Sequence, residues 1–277
     1  MRDRPRRGDG GARNQLPRPR KRLGQHFLTD RTVLERIVEA LAPTRDDIVV
    51  EIGPGRGALT DLLSERAKRV VAIELDRDLV PYLRDRYGPA GNVEVIERDV
   101  LELTLSDVAG PEFLLAGNVP YYITTPILFH ALRPPRPTRA VYLVQKEVAD
   151  RLSASAGTKA YGALTVNVGA LATAETLFRV PPGAFSPPPS VDSAVVRITP
   201  RPDPAVAPDE EERFRVFVQQ AFGMRRKQMR RVVRSILEVS PDGADELLSI
   251  AGIEPEARPE TLAPGQFSAL LRASRSA

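Results

Sequence analysis

Residues 48–57, Ile-Val-Val-Glu-Ile-Gly-Pro-Gly-Arg-Gly, join a short apolar run to a glycine-rich turn. The run from Ile48 to Ile52 predicts a buried β-strand, and the apolar spacing after the turn predicts a helix over 58–67. Glycine at 53, 55 and 57 permits a tight turn and lets backbone N–H groups approach a ligand closely. In an open parallel sheet, ligands bind beyond the carboxyl ends of the strands. The stretch therefore predicts an α/β fold with a ligand site at its turn.

Strands and helices alternate on both sides of that stretch. Helices are predicted over 30–41, with Asp30 as the N-cap, and around 78–87. Further short apolar runs predict strands at 70–74, 93–96, 112–116, 139–144, 176–180 and 193–198. Apolar strands separated by helices indicate a parallel sheet that is covered on both faces.

The 277 residues divide into three regions by composition. Residues 1–22 are rich in Arg, Pro and Gly and predict a disordered basic tail. Residues 23–200 hold the α/β pattern, and the Pro-rich segment 201–208 predicts a linker. The remainder predicts a small C-terminal helical domain (201–277), with helices over 211–222, 225–237, 244–250 and 264–274.

The composition excludes several classes of protein. Cysteine is absent and histidine occurs twice, which argues against a metal site. No window approaches 18 uninterrupted apolar residues, so no membrane span is predicted. The basic N-terminus lacks the apolar segment of a secretory signal. We therefore expect a cytoplasmic protein, a monomer, with neither a metal nor a membrane partner.

Positive charge is concentrated in two segments, although the net formal charge is +4. The tail (1–22) carries nine Arg or Lys against two Asp, a net +7, which leaves about −3 for the rest of the chain. The second segment holds Arg225, Arg226, Lys227, Arg230, Arg231 and Arg234. Basic runs of this kind fit a polyanion such as RNA, and they also fit a solvated tail and a solvated helix face. We expect the second segment to be a helix that binds RNA.

The glycine turn alone does not identify its ligand. Gly53, Gly55 and Ala58 also satisfy the G-x-G-x-x-A dinucleotide fingerprint, and Glu74 lies about 20 residues further on. A nicotinamide-dependent dehydrogenase therefore fits the turn as well as any other nucleoside-binding enzyme does.

Three carboxylates favour a different cofactor. Glu51 precedes the turn, where it would repel a pyrophosphate but attract the sulfonium and ammonium groups of S-adenosylmethionine. Glu74 ends the second strand and could accept from ribose hydroxyls, and Asp99 follows the third and could accept from an adenine amine. Either one singly could be a strand-end surface carboxylate. Their occurrence at consecutive strand ends favours S-adenosylmethionine.

Residues 117–122, Gly-Asn-Val-Pro-Tyr-Tyr, predict the chemistry. The amide oxygen of Asn118 and the carbonyl of Val119 or Pro120 could accept the two hydrogens of an exocyclic amine and direct its lone pair at a methyl donor. Proline fixes the backbone, and Tyr121 offers a ring for stacking a base. A sulfonium is already an activated leaving group, so alignment rather than a strong base would supply the rate.

A base must leave its stack to enter such a pocket. Phe185, followed by Ser-Pro-Pro-Pro, could cover the second face of the base, or it could fill the core beneath this proline-rich loop. We expect Tyr122 to be a packing residue or pocket wall. His130 lies on an apolar helical stretch and is expected to be structural.

The chain resembles the ribosomal RNA adenine N6-dimethyltransferases from about residue 21 to about residue 270. The later motifs are similar to the bacterial small-subunit enzymes rather than to the macrolide-resistance methylases. The motifs occur in order and correctly spaced: RLGQHFL (22–28), EIGPGRG (51–57), NVPYYITTP (118–126), QKEVADRL (145–152), KAYGALTV (159–166), FSPPPSVDSAVV (185–196) and FGMRRKQMRR (222–231).

The resemblance implies a Rossmann-like class I methyltransferase with a seven-stranded sheet, its last strand antiparallel, and a C-terminal helical domain. The implied cofactor is S-adenosylmethionine, and the implied substrate is two adjacent adenines in the 3′-terminal hairpin loop of 16S rRNA in the 30S ribosomal subunit or its precursor. The implied cofactor contacts are His26, Leu28, Gly53, Glu74, Asp99 and Asn118. The implied catalytic loop is Asn118 to Tyr121, with Phe185 as the second stacking residue.

Two departures from the family pattern matter. The commoner catalytic loop has Leu at position 119, where this chain has Val, and we expect little effect because that contact is mainly through the backbone. The basic extension lies outside the shared region. We hypothesise that it strengthens RNA binding without sequence specificity, so that deleting residues 2–20 weakens affinity and flattens its salt dependence. Large-subunit rRNA as target, a binding-only assembly role and a dehydrogenase remain the alternatives.

Overall fold

The computed structural model describes residues 19–20 and 24–275. Apart from Pro19 and Arg20, the predicted disordered tail lies outside the described residues. The described strands are β1 (Phe27–Leu28), β2 (Ile48–Ile52), β3 (Arg69–Glu74), β4 (Val93–Glu97), β5 (Leu114–Asn118), β6 (Arg139–Gln145), β7 (Ala172–Val180), β8 (Phe185–Ser186) and β9 (Ser193–Pro200).

Seven of these strands form one mixed sheet in the order β4-β3-β2-β5-β6-β9-β7. The strands from β4 to β6 run parallel, whereas β9 pairs antiparallel with both β6 and β7. This confirms the α/β, Rossmann-like fold with seven strands and an antiparallel last strand. A separate two-stranded sheet pairs β1 with β8, with Leu28 opposite Phe185.

Helices cover both faces of the sheet. Their bounds are α1 (Arg31–Leu41), α2 (Ala58–Arg66), α3 (Leu79–Tyr87), α4 (Leu105–Ala109), α5 (Thr124–Ala131), α6 (Lys146–Leu152), α7 (Ala163–Leu171), α8 (Glu211–Gly223), α9 (Met229–Leu237), α10 (Pro241–Ile250) and α11 (Pro264–Ala273). Asp30 caps α1 as predicted, because its Oδ1 accepts from the Val33 N–H at 3.2 Å. No helix within the described ranges is long and apolar enough to cross a membrane.

Successive side chains of a strand enter different clusters of the core, as the pleat requires. Val49 lies with α1 and α2 in one buried cluster, and Val50 lies in the other. The second cluster continues into the C-terminal helices, where Phe217 and Phe267 are buried. The C-terminal helices therefore share a core with the sheet.

The segment 201–208 is not the linker that its composition predicted. Its Ala205 N–H donates to the Ala170 carbonyl at 2.8 Å, and Val206 is 1% exposed. The prediction was wrong because a segment rich in proline and polar residues can also be fixed, when its backbone N–H groups find acceptors on α7 and an apolar side chain is buried.

Several element bounds also differ from the sequence prediction. The strand predicted over 176–180 begins at Ala172, and the helix predicted over 225–237 begins at Met229. Residues before it form a turn, in which the Lys227 N–H donates to the Met224 carbonyl at 2.8 Å. Helix α7 had no predicted counterpart, because it is buried on nearly every side and lacks the amphipathic period that marks a surface helix.

Candidate active site

A cavity opens where the carboxyl ends of β2 to β5 meet. This is the edge at which open parallel sheets bind ligands. It is lined by Gly53, Glu74, Asp99 and Asn118 from four successive strand ends, and by the segments 24–27 and 119–123. The structure thus brings together most of the residues that the sequence assigned to the cofactor.

The glycine turn has a backbone that other residues tolerate poorly. Gly53, Gly55 and Gly57 all have positive φ angles, of 68°, 57° and 84°. A Cβ atom on Gly55 would lie 2.9 Å from the Phe27 ring, and one on Gly57 would lie 2.2 Å from the Tyr87 hydroxyl. Glycine is therefore required both by conformation and by the close approach of two aromatic side chains.

The Glu74 carboxylate is held from two sides at the end of β3. It accepts from the N–H groups of Gly55 at 3.2 Å and Asp76 at 2.8 Å. Burial raises the pKa of Glu74, and these backbone bonds oppose that shift. Asp99 begins the next turn, with its Oδ1 accepting from the Leu101 N–H at 2.9 Å.

The predicted catalytic loop, Asn118 to Tyr121, begins at the end of β5. The Asn118 Nδ2 donates to the backbone carbonyl of His26 at 2.9 Å, which leaves the Oδ1 atom to accept. The Pro120 carbonyl already accepts from the Ile123 N–H at 3.2 Å and from the Thr124 hydroxyl at 3.2 Å. Of the two carbonyls considered from the sequence, the geometry therefore favours Val119 as the second acceptor.

Tyr121 stands beside Asn118 with its ring fixed in place. Its hydroxyl lies 2.6 Å from the Ser193 Oγ, and burial raises the pKa of Tyr121. The ring stacks on the imidazole of His26, with centroids 6.0 Å apart and planes inclined by 24°. The His26 Nδ1 lies 2.9 Å from the Pro187 carbonyl, so both rings are anchored.

The structure does not bring Phe185 to this cavity. Phe185 is 4% exposed and lies opposite Leu28 within the cluster beneath α1. The Phe185 ring is therefore a core residue here, and it is the His26 ring that faces Tyr121. The stacking role that the resemblance implied for Phe185 stays a prediction, and its burial speaks against it.

Leu28 and Glu51 border a second recess behind the glycine turn, which also touches Gly53 and Asn118. Glu51 is 2% exposed, and its Oε2 accepts from the Thr60 hydroxyl at 2.6 Å. Burial raises the pKa of Glu51 to about 8, against the opposing effect of the Thr60 bond. Without a cation beside it, Glu51 keeps its proton at neutral pH, whereas the sequence suggested a charged carboxylate.

The basic segment (225–234) separates into paired and exposed residues. Arg225 forms an ion pair with Glu260, and the Arg230 Nε lies 2.5 Å from the Asp245 carboxylate. The other members are exposed and form no ion pair with any described residue: Arg226, Lys227, Arg231 and Arg234. Arg231 and Arg234 lie on α9, whereas Arg226 and Lys227 lie in the turn before it.

Sequence reasoning missed two residues at the cavity. Gln25 lines it and Asp76 supports it, but both show their role only through long-range contacts. Tyr122 also lines the cavity and is 60% exposed, so it is a pocket wall as expected. His130 lies elsewhere, with its Nε2 2.7 Å from the Leu103 carbonyl. The described part of the chain holds no cluster of three His, Asp or Glu suited to a metal ion.

Comparisons with known proteins identify the family of this chain. A family model described as ribosomal RNA adenine dimethylase matches residues 17–273. Ribosomal RNA small subunit methyltransferase A of Geobacillus thermodenitrificans (strain NG80-2) is 43% identical over 267 residues, which covers 92% of this chain and 90% of that protein. The protein of that name from Geobacter metallireducens is 44% identical over 264 residues, with coverages of 92% and 95%.

Two solved structures share the fold over nearly their whole length. A dimethyladenosine transferase from Plasmodium falciparum superposes with a TM-score of 0.75 and 25% identity, covering 91% of this chain and 98% of that one. The 23S rRNA methyltransferase ErmE superposes with a TM-score of 0.71 and 28% identity, with coverages of 90% and 99%. The chain is thus a methyltransferase and belongs to the ribosomal RNA adenine dimethylase family.

Proposed function

We propose that this chain dimethylates the N6 amines of two adjacent adenines in the 3′-terminal hairpin loop of 16S rRNA, within the 30S subunit or its precursor. The methyl donor is S-adenosylmethionine, and the methylation is a step in small-subunit biogenesis. One observation carries the proposal: Asn118 is held at the cavity beside Tyr121 with its amide oxygen left to accept. The relatives named as small-subunit methyltransferases support the choice of target.

The residues present fit S-adenosylmethionine better than a dinucleotide. Glu74 and Asp99 offer carboxylate oxygens at adjacent strand ends, where a ribose and an adenine amine can donate. Glu51, buried directly behind the glycine turn, would disfavour a pyrophosphate there. When bound, S-adenosylmethionine supplies a methyl group that its sulfonium already activates.

The recess behind the glycine turn suits the cationic end of the cofactor. Leu28 and Glu51 border it, and the backbone of Gly53 and Gly55 lies between it and the cavity. An ammonium group in this recess would favour the ionised form of Glu51 and lower its pKa. The carboxyl of Glu51 can thereby offset a buried positive charge.

The catalytic loop would orient the amine rather than deprotonate it. The Asn118 Oδ1 and the Val119 carbonyl accept its two hydrogens, and Tyr121 stacks on the base. As the N–C bond forms and the S–C bond breaks, the nitrogen becomes positive and then readily loses a proton. Weak acceptors suffice for that step, and alignment supplies most of the rate.

RNA binding is assigned to the exposed members of the basic segment: Arg226, Lys227, Arg231 and Arg234. Their side chains are not held by carboxylates of the described residues, so they can neutralise phosphates. We expect the protein to act as a monomer in the cytoplasm, where ribosomal particles assemble.

The deciding experiment is transfer of labelled methyl groups from S-adenosylmethionine to two substrates. They are 30S particles that lack the hairpin methylation, and protein-free 23S RNA. We expect dimethyladenine in the 16S hairpin, and its loss with Asn118→Ala. Label on 23S RNA would instead favour the large-subunit target, to which the likeness to ErmE points. No label on either substrate would favour a binding-only role.

A further inference from the structure

A closed set of contacts ties the N-terminal segment to the end of β3. Asp76, two residues after Glu74, is 2% exposed. Its carboxylate accepts from the Arg20 Nη1 at 2.9 Å, the Gln25 Nε2 at 2.7 Å and the Asp78 N–H at 3.1 Å. The Arg20 N–H in turn donates to the Gln25 Oε1 at 2.7 Å. Arg20, Gln25 and Asp76 therefore hold one another, and we call this set the latch.

Two residues of the latch, Gln25 and Asp76, connect it to the cavity. Gln25 lies within the segment 24–27, which forms one wall of the cavity. The Asp76 N–H donates to the Glu74 Oε1 at 2.8 Å, on the carboxylate assigned to the ribose. Arg20 is 30% exposed at the side chain and lies before the first cavity residue. Thus the Gln25–Asp76 hydrogen bond connects the wall of the cavity to Glu74, and the Arg20–Asp76 ion pair holds the Asp76 carboxylate in place.

We propose that Arg20 and Asp76 are positioning residues for the cofactor: they hold the wall 24–27 closed and keep Glu74 in place. This inference rests on the proposed use of S-adenosylmethionine. A segment held in its bound conformation beforehand loses less conformational entropy when the ligand binds. Loss of the latch therefore weakens cofactor binding but leaves the geometry of the filled site unchanged.

The charge of Arg20 matters as well as its contacts. Asp76 and Glu74 are neighbouring buried carboxylates, and the charge of Asp76 disfavours ionisation of Glu74. After burial itself, the Asp76 carboxylate adds to the rise in the pKa of Glu74. The Arg20 guanidinium offsets that repulsion, so a neutral side chain at position 20 would leave Glu74 a poorer acceptor.

The test uses Arg20→Ala with Arg31→Ala as the matched control. Arg31 is 78% exposed and pairs with Glu35 on α1, away from the cavity. Calorimetric titration with S-adenosylhomocysteine should give about tenfold weaker binding for Arg20→Ala, the effect of losing a charged hydrogen bond. Arg31→Ala should bind as the wild type does, and Arg20→Lys should recover part of the affinity.

Kinetics separate positioning from damage to the site. With Arg20→Ala, we expect the KM for S-adenosylmethionine to rise by a similar factor while kcat at saturation stays within about twofold. A fall in kcat with an unchanged KM would overturn the inference. Melting temperatures of both variants should stay close to that of the wild type, since the Arg20 side chain is 30% exposed and belongs to none of the buried apolar clusters.

Two terminal deletions provide a second readout. Deletion of residues 2–18 should leave cofactor affinity unchanged, whereas deletion of 2–20 should reproduce Arg20→Ala.

The outcomes distinguish the latch from the function on which it rests. If the wild type fails to bind S-adenosylhomocysteine, the proposed cofactor itself is wrong. If the wild type binds it and Arg20→Ala binds equally well, the latch is refuted while the proposed function stands.

Discussion

The side-chain nitrogen of Asn118 donates a 2.9 Å hydrogen bond to the backbone carbonyl of His26, although 92 residues separate them. This bond fixes the amide plane and directs its oxygen away from His26. It also joins the proposed catalytic loop to the N-terminal segment that forms another wall of the cavity. One side chain thus orients the acceptor and fastens the two halves of the site together.

Asn118→Ala should lower kcat for methyl transfer by about 10²- to 10³-fold, the usual cost of removing one preorganised polar group. Asn118→Asp should not restore activity, because a carboxylate cannot donate to the His26 carbonyl. The measurement is single-turnover methylation of 30S particles. Asn92→Ala is the control, because its amide bonds the Ser64 carbonyl far from the cavity. Full activity in Asn118→Ala would contradict the assignment.

Phe185→Leu should lower the free energy of unfolding by about 1 to 2 kcal/mol and leave kcat unchanged, since the ring fills the core. Tyr121→Leu should instead lower kcat/KM by about 10- to 100-fold, because it removes the aromatic ring on which the base stacks. Denaturant unfolding and methylation kinetics on both variants make the comparison. A stable Phe185→Leu protein with a large loss of kcat would restore the stacking role.

Glu51 makes stability depend on pH in a definite direction. Its pKa is raised from 4.5 to about 8, so the folded protein keeps a proton that the unfolded chain releases. The stabilisation is complete below pH 4.5, and the free energy of unfolding falls as pH rises to about 8, by at most about 1.4 kcal/mol per unit. Glu51→Gln should remove this slope in denaturant titrations, and the exposed Glu65→Gln should not. An unchanged slope in Glu51→Gln would disprove the assignment.

The contribution of each residue of the basic segment to RNA binding should depend on whether a carboxylate already pairs with it. Arg226→Gln and Arg231→Gln should each weaken RNA binding and reduce its salt slope by about one. Arg230→Gln should change binding less, because Asp245 already neutralises the guanidinium. Affinities measured between low and physiological salt would show the difference. Salt slopes equal to that of the wild type in Arg226→Gln and Arg231→Gln would mean that these exposed residues do not contact phosphates.

The deletion that tests the basic extension should end before residue 19. Deleting residues 2–20 removes Arg20, which contacts Asp76, so it would disturb the cofactor site as well as any RNA contact. Deleting residues 2–18 isolates the extension. We still expect weaker RNA binding and a flatter salt dependence from this shorter deletion.

Local patterns in the sequence were enough to predict the main sheet and most of the cavity. The apolar runs of β2, β3 and β6 and the N-cap of α1 are marked by side chains a few residues apart, so their signals survive without the fold. The glycine turn and the carboxylates at strand ends also mark the ligand edge, because parallel strands place their carboxyl ends together. These features required no knowledge of distant contacts.

Other properties depend on which distant residues meet, and only the tertiary structure decided them. The two-residue strands β1 and β8 have no periodic signal, yet their pairing turns Phe185 into the core. The pairing of Arg230 but not of Arg231 depends on a carboxylate from another helix. The contacts of Asn118 with His26 and of Arg20 with Asp76 join segments that are far apart in the chain. Packing selects these partners from many chemically equivalent ones, and no local pattern records the choice.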